Sequence, residues 1–91
     1  MPFVYILRCR DDSLYTGATT DLPRRLAEHA AGQGARYTRG RLPVALLWSR
    51  RLASWSGALR EEWRIKRLPR AAKLALAGAS GRRLRRPGGP A

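Results

Sequence analysis

One cysteine and one histidine are the scarcest chemistry-bearing residues in this 91-residue chain. Cys9 alone cannot close an internal disulfide, and Cys9 with His29 cannot supply the ligands of a structural zinc site, so zinc fingers and zinc deaminases are excluded. Cys9 is expected to be buried and inert. A single imidazole also limits hydrolytic chemistry. Any Ser-His-Asp arrangement would have to use His29, and neither a G-x-S-x-G elbow nor a G-x-x-x-x-G-K-[ST] phosphate loop occurs. Long apolar runs are missing too. The stretch 3–7 ends at Arg8, too short to cross a membrane and without the charged leader of a secretory signal, so a cytoplasmic location is expected. Acids are few, six Asp and Glu against nineteen Lys and Arg.

What is present in excess is positive charge, a formal +13. Such an imbalance attracts polyanions, and nucleic acid is the expected partner. An anionic membrane is the weaker candidate, because the basic residues are not gathered opposite one long apolar face. All but Lys66 and Lys73 of the basic residues are arginine, whose planar fork suits bidentate contact with phosphate. The length allows one domain, expected over residues 1–77. Residues 78–91 are Gly, Pro, Arg and small residues with Leu84 alone for a core, four arginines and no acid, and are expected to form a disordered basic tail.

Residues 3–9 are rich in β-formers, and both alternating sets are apolar: Phe3, Tyr5, Leu7 and Cys9 on one face, Val4 and Ile6 on the other. Such a strand is covered on both sides. Residues 10–13 are turn chemistry and 14–17 read as a return strand, a hairpin that brings Tyr5 and Tyr15 near each other. Asp21 as N-cap, Pro23 in the first turn and Gly32 as a stop predict a helix over 22–31. Its apolar face holds Leu22, Leu26 and Ala30, while Arg25 and His29 share one border of that face. Residues 32–41 form a Gly-rich basic loop, with Arg36, Arg39 and Arg41 around Tyr37. Residues 44–48 read as a third strand, apolar on both faces. A second helix begins between 54 and 57 and ends before Pro69. Leu59, Trp63 and Ile65 define its apolar arc, Arg60, Arg64 and Arg67 lie opposite, and Glu62 and Lys66 fall inside the arc. A further short helix is expected over 69–76. Trp48, Trp55 and Trp63 read as core or helix-packing residues.

Hydroxyl, guanidinium, imidazole and carboxylate groups therefore border or enter buried faces instead of projecting into solvent. Phosphodiester hydrolysis needs water activation, neutralisation of phosphoryl charge and usually a divalent cation held by carboxylate. Arg25 suits the charge role, Glu62 the metal, and Tyr5, Tyr15 or His29 the protons. Helical phase alone does not exclude Glu61 in place of Glu62. A tyrosine serves as a base near neutral pH only if cations lower its pKa, the effect expected here of Arg25 and a metal. One carboxylate points to one metal.

Val4-Tyr5-Ile6, Tyr15-Thr16-Gly17, Thr19 and Asp21-Leu22-x-x-Arg25-Leu26-x-x-His29 together resemble the GIY-YIG nuclease superfamily. The segments 34–44 and 58–66, with Arg36-Tyr37-Thr38-Arg39 and Glu62-x-x-Ile65-Lys66, resemble its small stand-alone bacterial branch, which is UvrC-like, related to the nuclease domain of that excinuclease. The resemblance implies an α+β fold, an α/β sandwich in which a three-stranded antiparallel sheet with the first strand central is flanked by helices. It also implies a metal-dependent DNA endonuclease that uses Mg²⁺ or Mn²⁺, with a place in DNA repair or recombination. On this resemblance Tyr5 is the general base or water-positioning hydroxyl and Tyr15 a second hydroxyl at the scissile phosphate. Arg25 stabilises transition-state charge, His29 assists proton transfer or binds phosphate, and Glu62 holds the metal. Thr19 and Lys66 are supporting positions. Arg36, Tyr37, Arg39, Arg41 and Lys66 are expected to contact nucleic acid, since Arg and Tyr interleaved pair with the backbone and stack on a base.

Plainer readings compete with each assignment. Tyr5 can be a core tyrosine, Arg25 and His29 an ordinary helix edge, Glu62 a surface partner of Lys66, and the basic loop a solvated segment whose Tyr37 packs on the sheet. Asp11 and Asp12 read as turn formers. The competing functions are a non-catalytic nucleic-acid-binding module with the nuclease fold, or an adaptor in a repair complex. DNA, branched or nicked, and a repair-protein partner are the expected associates.

Overall fold

The computed structural model describes residues 1–84. The β-rich N-terminal run forms β1 (Phe3–Arg8), a turn returns the chain as β2 (Leu14–Thr19), and β3 (Ala45–Arg51) completes an antiparallel sheet of order β2-β1-β3. The central strand is buried on both faces, as its doubly apolar pattern requires. At the hairpin turn Asp12 takes a φ of 70°, a left-handed conformation that aspartate tolerates better than most side chains.

The pairing Phe3↔Thr19, Tyr5↔Gly17, Leu7↔Tyr15 puts these residues on one sheet face. Val4, Ile6, Ala18 and Trp48 belong to the other, where they pack with Ala58, Ile65 and Ala77 in the main apolar core. That second face is covered by α3 (Trp55–Lys66) and α4 (Arg70–Leu84). The first face carries α1 (Leu22–Ala30) and a four-residue helix, α2 (Arg36–Arg39), through His29 and Thr38. The molecule is thus an α+β sandwich with the sheet in the middle. No helix among the described residues is long and apolar enough to cross a membrane.

Caps follow the expected chemistry. The Asp21 carboxylate accepts from the Arg24 N–H at 3.1 Å at the start of α1, Gly32 takes a φ of 78° beyond its end, and the Ser54 hydroxyl accepts from the Gly57 N–H at 3.0 Å at the start of α3. Three expectations need correction. The basic loop contains α2, a single helical turn. The arc of α3 that meets the sheet is centred on Ala58 and Ile65, so Leu59, Trp55 and Trp63 are exposed. Alanine is a weak apolar signal in a sequence, yet its small side chain lets the helix come this close, and two bulkier apolar residues drew the expected arc away from it. Finally, α4 runs on to Leu84, because the alanine- and leucine-rich stretch 71–77 propagates a helix well. The segment read as a tail is therefore helical as far as Leu84, and its remainder, 85–91, lies outside the described residues.

Candidate active site

Two glycines determine how the site is assembled. Tyr5 lies opposite Gly17, and its phenol crosses the Gly17 backbone so closely that a Cβ there would stand 2.5 Å from the hydroxyl oxygen. Gly34 sits against the His29 ring, where a Cβ would meet Cγ at 2.8 Å and Cε1 at 2.9 Å. With both positions bare, Tyr5 reaches under the β1–β2 edge to His29, one of whose ring nitrogens, Nε2, is 2.9 Å from the phenolic oxygen.

The other imidazole nitrogen, Nδ1, is 2.9 Å from Thr38 Oγ1, and that hydroxyl donates its proton to the Ala35 carbonyl at 3.0 Å. A hydroxyl has one proton to give. With it committed to Ala35, Thr38 can only accept from His29, which puts the imidazole proton on Nδ1 and leaves Nε2 as an acceptor. Tyr5 therefore donates to His29. The relay runs Tyr5 to His29 to Thr38 to Ala35, and its three side chains are fully buried. His29 has no nitrogen left for a phosphate, so of its two expected roles only proton transfer, through Tyr5, matches this geometry.

The electrostatics reinforce this protonation pattern. Burial raises the Tyr5 pKa above its usual 10.0, the Tyr15 and Glu62 charges act in the same direction, and the neighbouring Arg25 only partly opposes them. This corrects the expectation that Arg25 leaves Tyr5 acidic: in the protein alone, desolvation wins. His29 moves below 6.5, first because it is buried and then because of the Arg25 charge, so it stays neutral and able to accept.

Arg25, half-buried, donates to the Glu28 carboxylate at 2.9 Å, and its charge also acts on Tyr5. It opens onto a groove of about 400 Å³ that Thr19, Arg24, Glu28 and Trp55 also line. Thr19 itself is spent locally, accepting from the Asp21 N–H at 3.1 Å and so shaping the entry to α1. Tyr15 stacks against Tyr37, with ring centroids 6.0 Å apart, and has its other neighbours in Tyr5 and His29 at 6.5 and 5.5 Å. The two glutamates of α3 separate clearly. Glu61 is held by Arg64 at 2.7 Å and Arg50 of β3 at 3.3 Å, whereas Glu62 is the one whose charge reaches Tyr5. Glu62 pairs with Lys66 at 3.0 Å, the surface-pair reading of the sequence, yet its side chain is only 19% exposed.

The basic loop divides into two kinds of arginine. Arg41 is a clamp: it donates to Asp11 at 3.0 Å and to the Tyr37 carbonyl at 2.8 Å, and its guanidinium lies 3.8 Å over the Tyr37 ring. That geometry departs from the expectation of a nucleic-acid contact at Arg41. Arg36 and Arg39 are exposed and make no ion pair among the described residues. Thr38, Gly34 and the Asp11–Arg41 link escaped sequence reasoning. Only the position of Thr38 inside the segment 34–44 hinted at it, since its partner lies nine residues away.

A family model described as "GIY-YIG catalytic domain" matches residues 1–75. The chain belongs to the GIY-YIG family. This GIY-YIG protein is 55% identical over 74 residues to the UPF0213 protein OB0043 of Oceanobacillus iheyensis, covering 81% of this chain and 86% of that one. It is 55% identical over 76 residues to the UPF0213 protein VNG_2274C of Halobacterium salinarum, covering 84% of this chain and 99% of the relative. Among solved structures, the UPF0213 protein BH0048 from Bacillus halodurans superposes with a TM-score of 0.58 at 46% identity, over 89% of this chain and 87% of that one. The three-stranded antiparallel sheet with flanking helices is the shared fold.

Within this GIY-YIG domain the described residues contain no cluster of three or more His, Cys, Asp or Glu side chains. A lone, part-buried carboxylate whose charge acts on Tyr5 still fits a magnesium-type ion, which keeps several waters and is commonly held by one or two carboxylates together with substrate phosphates. Glu62 is the residue that meets this requirement.

Proposed function

We propose that the protein is a metal-dependent DNA endonuclease that hydrolyses phosphodiester bonds in repair or recombination, with Mg²⁺ or Mn²⁺ held by Glu62. The observation that carries this reading is the buried relay, which aims an unprotonated imidazole nitrogen at a phenol beside Arg25 and the groove that Arg25 lines. In the mechanism, Tyr5 accepts a proton from the attacking water while its own proton passes to His29 Nε2. Thr38 keeps His29 in the accepting tautomer, and Glu28 offsets the charge as the imidazolium forms. Arg25 neutralises charge on the phosphoryl oxygens, a role for a preorganised cation in a partly dry site. Tyr15, stacked between the relay and Tyr37, presents its hydroxyl to the same phosphate. Glu62 would hold the divalent cation, which when bound would supply Lewis-acid polarisation of the phosphate. Lys66, Arg36, Tyr37 and Arg39 flank the path of the nucleic-acid backbone. A cytoplasmic location and a repair-protein partner belong to the same proposal.

The test is cleavage of duplex, nicked and branched DNA with Mg²⁺ or Mn²⁺. Tyr5→Phe removes the general base and is expected to lower turnover ~10²- to 10⁴-fold, with Glu62→Gln at least as severe. A second reading, a binding module without catalysis, draws on the Glu62–Lys66 pair and the +13 charge. It requires salt-sensitive binding with no turnover on any substrate and indifference to Tyr5→Phe.

A further inference from the structure

The outer face of α3 presents Trp55, Leu59 and Trp63, which are 44%, 42% and 63% exposed. They stand four residues apart, so they form one stripe along the helix, about 12 Å from end to end. Two indoles and a leucine left in water on so small a protein call for a ligand. The stripe starts at the candidate site, because Trp55 lines the same groove as Arg25. It ends in a second, apolar hollow of about 450 Å³ bounded by Leu59, Arg60, Trp63 and Arg64. Arg67 lies 4.5 Å over the Trp63 ring, and neither Arg67 nor Arg60 makes an ion pair among the described residues.

We propose that this stripe is a stacking track for unpaired nucleotides, so that the substrate is DNA whose strand beside the scissile phosphate is single-stranded; the proposal rests on the nuclease reading above and names its substrate class. An indole can stack on a base only where the base face is open, and in a duplex those faces are covered by neighbouring bases. Alternating aromatic and arginine side chains bind single strands by stacking and by phosphate contact, without reading sequence. Duplex DNA uses the arginines and leaves the indoles idle. A second copy of this chain is a poor occupant, since a self-complementary contact would bring Arg60, Arg64 and Arg67 of each copy together. An acidic protein helix would satisfy the charge but gives no reason for the stripe to run into the groove at Arg25.

The test measures binding of labelled oligothymidylate and of a duplex of equal length, without divalent cation, to the full chain and to Trp63→Ala, Trp63→Phe and Arg67→Gln. Trp63 is exposed, so these variants keep the fold. Oligothymidylate is expected to quench tryptophan emission. Trp63→Ala is expected to weaken oligothymidylate about tenfold and leave duplex affinity nearly unchanged, while Trp63→Phe restores most of the loss. Equal weakening of both ligands, no weakening at all, or a dimer that Trp63→Ala dissociates in sedimentation each overturns the track. Cleavage separates this proposal from the one it rests on. Wild-type protein that stacks oligothymidylate but cuts nothing overturns the nuclease and supports the track; Trp63→Ala that binds and cuts every substrate as wild type does the reverse.

Discussion

Thr38 has the least conspicuous side chain in the site and sets its protonation. By spending its proton on Ala35, it obliges His29 to donate from Nδ1 and to accept at Nε2. Thr38→Val keeps the shape and removes the acceptor, so the imidazole gains by moving its proton to Nε2, where it blocks transfer from Tyr5. The expected result is a fall in turnover of about a hundredfold with KM little changed, whereas Thr38→Ser retains most of the rate, in single-turnover cleavage assays. The same histidine links stability to pH. Its folded pKa lies below 6.5, lowered by burial and by Arg25, while the unfolded chain takes up the proton near 6.5. In the window between the two values the unfolded state binds more protons, so stability rises with pH and is lost as pH falls below 6.5. Glu28 and Glu61, whose pKa values are held down by Arg25 and Arg64, lose their contributions only below about 4.5. Thermal unfolding followed across pH is therefore expected to show an upper slope that His29→Gln abolishes and a lower, carboxylate slope that it leaves in place.

Elements were legible from the sequence wherever a local signal and the tertiary environment agreed. The Asp21 cap, Pro23 and Gly32 delimit α1 by backbone chemistry alone, and β1 reads as central because its two alternating sets are both apolar. The border position of Arg25 and His29 on α1 was visible in the helical phase, but not that His29 would be wholly buried, since the sheet face that covers it is built from Tyr5 and Gly17 on two other elements. On α3 the helical phase and the packing disagree. Helical phase counts apolar bulk, and on α3 the bulk faces outward while Ala58 makes the close approach to the sheet. An apolar arc that the fold leaves exposed breaks the ordinary pattern, and the stacking track proposed above gives that break a reason. In α2 the tertiary contact of Thr38 with His29 holds a four-residue turn that is too short to nucleate on its own.

At the scale of the whole molecule, the proposed nucleic-acid partner divides the many arginines behind the +13 charge into those free to meet it and those spent within the fold. Arg41 bridges the β1–β2 turn at Asp11 to the Tyr37 carbonyl and keeps the Tyr37 ring stacked on Tyr15. Arg70 plays a similar part across the molecule, donating to the Asp12 carbonyl at 2.7 Å and tying the start of α4 to the same turn. Arg36 and Arg39, on the short helix α2, have no such duty among the described residues. Counterion release makes the distinction measurable, because each phosphate neutralised contributes about −0.9 to the slope of log affinity against log salt on duplex DNA. Arg39→Gln is expected to reduce that slope by about one and leave thermal stability unchanged. Arg41→Gln is expected to lower the unfolding temperature and, by releasing Tyr37 from Tyr15, to slow cleavage, with little change in the salt slope. If the two substitutions exchange signatures, the clamp and the contact have been assigned to the wrong arginines, and the electrostatic path to Arg25 runs over the β1–β2 turn instead of over α2.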